Sequence, residues 1–154
     1  MRGLGLHTTV KDGHPTVNGV VLERQGSDLV GSLEFTWHAN PQEDEALQFA
    51  DLFGAFSSAL PSLNVDAVVV RTMDHGPATR RTTELACKYG VQSLLLAVAR
   101  PTVKRTARLR GIDIGTRCGT DKATVDKQAA GIVGEQLREA GAAAVAAVVW
   151  AENP

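Results

Sequence analysis

The chain has 154 residues, 44% of them hydrophobic and 21% charged, with a net charge of −1. This is the length and make-up of one soluble globular domain that buries enough surface to fold without staples, so residues 1–154 are read as a single domain. The only cysteines, Cys87 and Cys118, form no CxxC pair and have no histidine at zinc-ligand spacing, which makes a disulfide scaffold or a zinc finger untenable.

Both thiols are expected to be reduced, in a cytoplasmic protein. The apolar run after Met1 is too short for a signal peptide. The longest apolar stretch, Ala142 to Ala151, falls well short of the ~20 residues of a membrane span and reads as a buried helix. Charge is uneven: residues 1–70 hold three basic and nine acidic residues, whereas residues 71–127 hold twelve basic and five acidic. The asymmetry points to a basic face for an anionic partner; the plainer reading is a solvated surface.

In chain order, Leu4–Thr9 is predicted as a first strand, with a turn over Lys11-Asp12-Gly13-His14-Pro15. Val17–Arg24 is the second strand, Gln25-Gly26-Ser27-Asp28 a hairpin turn and Leu29–Trp37 the third strand. Asn40 is a candidate N-cap, with Pro41 at the first helical position and Glu43 completing a capping box. The helix that follows would bury Ala46, Phe49, Ala50, Phe53, Phe56 and Leu60. Val65–Val70, a valine-rich run, reads as a strand buried on both faces. Pro77 opens a second helix ending at Gly90 as C′ residue, and Val91–Val98 reads as a fifth strand. Pro101 starts a short basic helix to about Leu109, 110–119 is a loop, Thr120 caps a long helix to about Glu139, and Gly141 starts the last helix. The expected fold is α/β: a five-stranded mixed sheet, made of a three-strand antiparallel meander plus two parallel strands, flanked by helices. A right-handed crossover places the fourth strand beside the first.

This order resembles the RNase H-like superfamily, and its details are similar to the RuvC family of Holliday junction resolvases. Gly3-Leu4-Gly5-Leu6-His7-Thr8-Thr9 resembles the family's opening strand, I-L-G-I-D-P-G. Asn18-Gly19-Val20-Val21 resembles its second strand, Asp66-Ala67-Val68-Val69-Val70-Arg71 its fourth, and Lys88-Tyr89-Gly90-Val91 the end of the helix after it. Gly119 to Val125 resembles its G-x-A-x-K-x-x-V segment, and Gly141 to Ala147 its D-A-A-D-A-L-A final helix. The resemblance covers nearly the whole chain. It implies a homodimer and a pair of divalent ions held by four carboxylates, which activate water for phosphodiester hydrolysis.

At those four positions this alignment puts His7, Arg71, Gly141 and Ala144. None is a hard oxygen donor of the kind magnesium requires. A guanidinium about 4 Å from a divalent ion would cost on the order of 8 kcal/mol at an effective dielectric of 20. The expectation is therefore no catalytic residue, no metal and no cofactor. Magnesium or manganese would enter only if other acids, such as Asp74, Glu23, Glu34 or a register-shifted Glu139, rebuilt the site; the plainer expectation is that Arg71 pairs with one of them, such as Asp74. Gly115 to Lys122 lacks the Gly-Lys-Ser/Thr order of a phosphate-binding loop.

The remaining signal is basic. Arg100, Lys104, Arg105, Arg108, Arg110, Arg117, Lys122 and Lys127 lie close in sequence, offset by Asp113, Asp121 and Asp126, with Arg80 and Arg81 upstream. Lys104 and Arg108 would share a helix face. Between Phe56 and Trp150 the only aromatic is Tyr89, which argues against a base-stacking platform and for backbone recognition of duplex or branched DNA. Arg71 would hold a phosphate in the old metal pocket. The expected function is thus a catalytically inactive RuvC-like protein binding structured DNA. The alternatives are a scaffold subunit that kept only the fold and bound a protein partner, and an active metal-dependent endonuclease with relocated ligands. No membrane association is expected.

Overall fold

The computed structural model describes residues 1–74 and 82–153. Five strands form one mixed sheet in the order β3-β2-β1-β4-β5. The strands β1 (Arg2–Lys11), β2 (His14–Gln25) and β3 (Asp28–His38) make the expected antiparallel meander. β4 (Ala67–Thr72) lies parallel to β1, and β5 (Arg105–Arg110) lies parallel to β4. The crossover therefore places the fourth strand beside the first, as the handedness argument requires.

Helices cover both faces. α1 (Glu45–Leu63) and α2 (Thr82–Ala99) pack on one, burying Leu4, Leu6, Val68 and Val70 with Leu52, Phe56 and Leu95. α3 (Gly111–Arg117), α4 (Lys122–Val133) and α5 (Arg138–Glu152) cover the other, where Ala67 and Val69 meet the alanines of α5. Side chains alternate along a strand, so the β1 residues between Leu4 and Leu6 face α5, and these are glycines. A Cβ on Gly5 would fall 2.0 Å from Ala140 O and 2.2 Å from Ala144 N; one on Gly3 would fall 2.5 Å from Val148 N. Glycine and alanine together let α5 lie directly on the sheet. The run from Ala142 to Ala151 is accordingly a buried helix, and among the described residues no helix is long and apolar enough to cross a membrane.

Several sequence expectations are corrected. α1 begins at Glu45, capped by Asp44, whose Oδ1 accepts from Leu47 N at 2.9 Å; Asn40 instead accepts from Gln42 N in a turn before the helix. The buried stripe runs through Leu52, Phe56, Leu60 and Leu63, which leaves Phe53 51% exposed. Val91–Val98 is not a strand but the second half of α2: burial at Val91, Gln92, Leu95 and Ala99 follows helical spacing. Gly90 does not end that helix; its bare Cα lets the Phe49 ring of α1 approach, 2.8 Å from where a Cβ would sit. The fifth strand is the polar stretch Arg105–Arg110, expected to be helical, so Lys104 and Arg108 share no helix face. Its one strand neighbour, β4, leaves it at the sheet edge, where charged side chains are tolerated. The expected loop over 110–119 contains α3, and α4 is capped by Asp121, not Thr120, and stops at Gly134 (φ +83°). A short 3-10 turn then leads into α5, which starts at Arg138 and not at Gly141. Pro77, where the second helix was expected to open, lies outside the described residues, as do His75, Arg80 and Arg81.

Candidate functional site

The parallel pairing of β1 with β4 sets His7 directly beside Arg71. Alternation turns both toward the α4–α5 side, in line with Gly3, Gly5, Ala67 and Val69. Two acids descend onto them from the helices above, one from the second turn of α4 and one from the first turn of α5. Asp126 of α4 receives the Arg71 guanidinium as a fork, with Nη1 to Oδ1 at 2.5 Å and Nη2 to Oδ2 at 3.2 Å. Glu139 of α5 stands 3.7 Å from Arg71 Nε, and the same carboxylate oxygen meets His7 Nε2 at 2.8 Å. Arg71 is only 3% exposed. A charge that deep requires a hydrogen-bonded counter-ion, and planar guanidinium suits a bidentate carboxylate. Glu139 is held down to about 2, first by the hydrogen bond from His7, against the opposing effect of burial, and further by the charges of His7, Arg71 and Arg138. Its place at the start of α5 adds the favourable end of the helix dipole.

The acid nearest Arg71 in sequence, Asp74, is not its partner. Asp74 accepts from Lys122 Nζ at 2.6 Å and from Ile112 N at 3.1 Å, tying the exit of β4 to the first turns of α3 and α4. Burial works to raise its carboxyl, but these bonds hold it below the ordinary range. Nor do Gly141 and Ala144 line the site. A Cβ on Gly141 would point at Val133 and Ala129 of α4, and Ala144 lies over Gly3 and Gly5. The residue of α5 that reaches the β1–β4 pair is Glu139, two positions before Gly141 and five before Ala144, the register-shifted acid of the alignment. Asp126 was not singled out as a site residue. The signal that leads to it is an arginine ending a valine strand, which demands an acid from the covering layer.

These residues do not fit the pair of divalent ions that the RuvC resemblance implies. The pocket holds a fixed cation between its two carboxylates. Among the described residues no three histidine, cysteine, aspartate or glutamate side chains gather as a metal shell. The thiols offer no alternative: burial pushes Cys118 up to about 11 and raises Cys87, leaving little thiolate to act as ligand or nucleophile.

The basic residues are dispersed. Arg71, expected to receive a phosphate, is withdrawn from the surface with its guanidinium taken up by Asp126. Lys122 is paired with Asp74, and Arg110 forks onto Asp113 at 2.8 and 2.9 Å. Arg108 lies over the Tyr89 ring of α2, 5.7 Å from its centroid, and Arg117 over Trp150 at 4.6 Å. Lys104 and Arg105 sit at the start of β5, the end of the strand away from Arg71. Lys127 follows Asp126 on α4, and with Lys104 and Arg105 it makes no ion pair among the described residues.

No family model matches the chain, and no curated protein matches it by sequence. Solved structures do. The structure of Thermus thermophilus RuvC superposes with a TM-score of 0.71 at 16% identity, covering 99% of this chain and 96% of that one. T. thermophilus RuvC in complex with a Holliday junction substrate gives 0.72 at the same identity and coverage. With the strand order, the helical layers and the extent of the superposition in agreement, the chain has a RuvC-like fold.

Proposed function

We propose that this chain is a RuvC-fold protein that binds structured DNA without cutting it. The observation that carries the reading is the buried Arg71–Asp126 pair, which fills the junction of β1, β4 and the α4–α5 layer with an internal ion pair. Hydrolysis by the two-metal route requires open coordination positions facing the scissile phosphate; here His7, Arg71, Asp126 and Glu139 satisfy one another. The DNA part rests on the fold shared with a RuvC solved on a Holliday junction, and on cations that remain at the surface: Lys104, Arg105, Arg108, Arg117 and Lys127, with Arg110 and Lys122 lining a separate pocket around Asp74. Homodimerisation and a cytoplasmic location belong to the same proposal.

A second reading, a scaffold subunit for a protein partner, is favoured by one feature. α1 presents Phe53 and Leu47 half-exposed on its outer side, while Arg110 and Lys122 are paired within the chain. A gel-shift titration of a four-way junction and a matched duplex, at two salt concentrations and with or without magnesium or manganese, separates the readings. Salt-sensitive, metal-independent binding without cleavage is expected. No binding at low salt would transfer the proposal to the scaffold, and cleavage would overturn the inert reading.

A further inference from the structure

Arg117 ends α3, and Trp150 lies in the last turn of α5. No aromatic but Tyr89 stands among the basic residues in sequence; tertiary packing supplies a second ring, with the Arg117 guanidinium 4.6 Å from the Trp150 centroid. Beside this pair, between β5, α3 and the end of α5, opens a cleft of about 610 Å³, within the roughly 300–1,000 Å³ of small-molecule sites. Leu109, Val149 and Trp150 give it apolar surface, and Arg117 and Asn153 give it polar groups. Its carboxylate, Asp113, is already taken up by Arg110, at 2.8 and 2.9 Å. Arg117 is exposed and makes no ion pair among the described residues. Stacking on the ring fixes the guanidinium plane and leaves its N–H donors free at the edges, a geometry that matches phosphate. A bare anion would use the guanidinium and none of the apolar surface; an apolar ligand would do the reverse. A nucleotide uses both, since its phosphate accepts from the fork and its flat ring covers apolar surface. We infer that this cleft takes a nucleotide, as the unpaired end of a nucleic-acid strand, with the phosphate on the edge of Arg117 and the base against Leu109, Val149 and Trp150. The inference rests on the DNA-binding reading for the source of that strand, and the cleft shares no residue with the Arg71–Asp126 pair.

The probes are thymidine 5′-monophosphate and a short oligothymidylate, with thymidine, inorganic phosphate and an acidic tetrapeptide as separate arms. The readout is the indole N–H resonances of the two tryptophans, because Trp37 packs with Phe35 and Phe56 on the opposite face of the sheet and serves as the internal reference. Trp150 should shift saturably with both nucleotide probes while Trp37 stays in place. Thymidine 5′-monophosphate should bind at least about tenfold more tightly than thymidine or phosphate alone. Arg117→Ala should weaken its binding by about tenfold or more, and Arg117→Lys by nearly as much, because an ammonium keeps the charge and loses the planar fork. Lys11→Ala removes an equal charge outside the cleft and should bind as the wild type does. An unchanged Trp37 resonance reports that each variant is folded. Phosphate or the peptide binding as tightly as the nucleotide would overturn the inference, the first in favour of a simple anion site and the second in favour of a protein partner. Full affinity in Arg117→Lys would overturn it as well. If Trp150 is still with every probe while the four-way junction is retarded in the gel, the inference fails and the DNA-binding reading stands; if junction binding is absent too, both fail.

Discussion

Arg71 and Asp126 are worth more to each other than to the fold. Deleting one partner of a buried ion pair strands the other charge, so Asp126→Asn should destabilise the protein by about 3–5 kcal/mol in chemical denaturation. Replacing both with apolar residues of similar volume, Arg71→Met with Asp126→Leu, should be neutral or stabilising, because the cost of dehydrating two ions disappears with them. A double variant as unstable as the single one would show that the pair carries net stability. Glu139 gives the site a pH dependence. Its carboxyl titrates near 2 when folded and near 4.5 when not, so it contributes stability that is complete above 4.5 and lost as pH falls toward 2. Discounted for its partial exposure, the contribution is about 1–2 kcal/mol. Glu139→Gln should therefore lower stability at pH 7 and flatten its decline between pH 4.5 and 2, in denaturation curves taken across that range. His7 and Arg71 were legible because strand alternation, which is local, places them. Glu139 entered only as a register-shifted alternative and Asp126 not at all: both arrive from helices more than fifty residues further on, and only the packing of α4 and α5 decides which of their turns meets β4.

The glycines of β1 test how α5 is seated. Because the atoms that a Cβ on Gly5 would strike are backbone atoms of α5, the helix must shift as a body to admit a methyl group. Gly5→Ala should cost about 3 kcal/mol, read as a drop in Tm of roughly 6–12 °C. Gly54 in α1 has nothing within 4 Å of its Cβ position, so Gly54→Ala should stabilise by about 0.5–1 kcal/mol through helix propensity alone. Opposite signs for the same substitution would confirm that close approach, and not glycine content, matters at β1. The elements themselves were unevenly readable. The meander and β4 follow from apolar period and turn residues. α2 and β5 were exchanged, because Val91–Val98 is apolar and β-branched at both ends yet packs with helical spacing, while β5 (Arg-Thr-Ala-Arg-Leu-Arg) carries too little apolar signal for a strand. What made β5 a strand is the vacant edge of β4, a tertiary fact. α3 was hidden by Gly111 and Gly115, which read as loop residues but serve its close packing on Lys122 and Asp121.

Across the whole sheet, charge is polarised from edge to edge. β3 and its neighbour β2 carry Glu23, Asp28 and Glu34, with Arg24 of β2 taken up by Glu152, whereas β5 at the opposite edge carries Arg105, Arg108 and Arg110 after Lys104. A polyanion approaching this field is steered away from the meander and toward the β5 edge and α4. Bound phosphates release counter-ions, and each cation that engages one steepens the dependence of log affinity on log salt by about one unit. The double reversal Lys104→Glu with Arg105→Glu should weaken junction binding by at least about tenfold at low salt and reduce that slope by about 2, with Lys127→Glu reducing it by about 1. Lys11→Glu, on the turn side of β1 within the acidic stretch 1–70, changes the net charge in the same direction and should leave the slope unchanged. Gel shifts over a salt series measure all four proteins on one substrate. An equal loss in Lys11→Glu would mean that DNA responds to total charge and not to this edge, and an unchanged slope in the Lys104–Arg105 variant would move the contact surface away from β5 altogether.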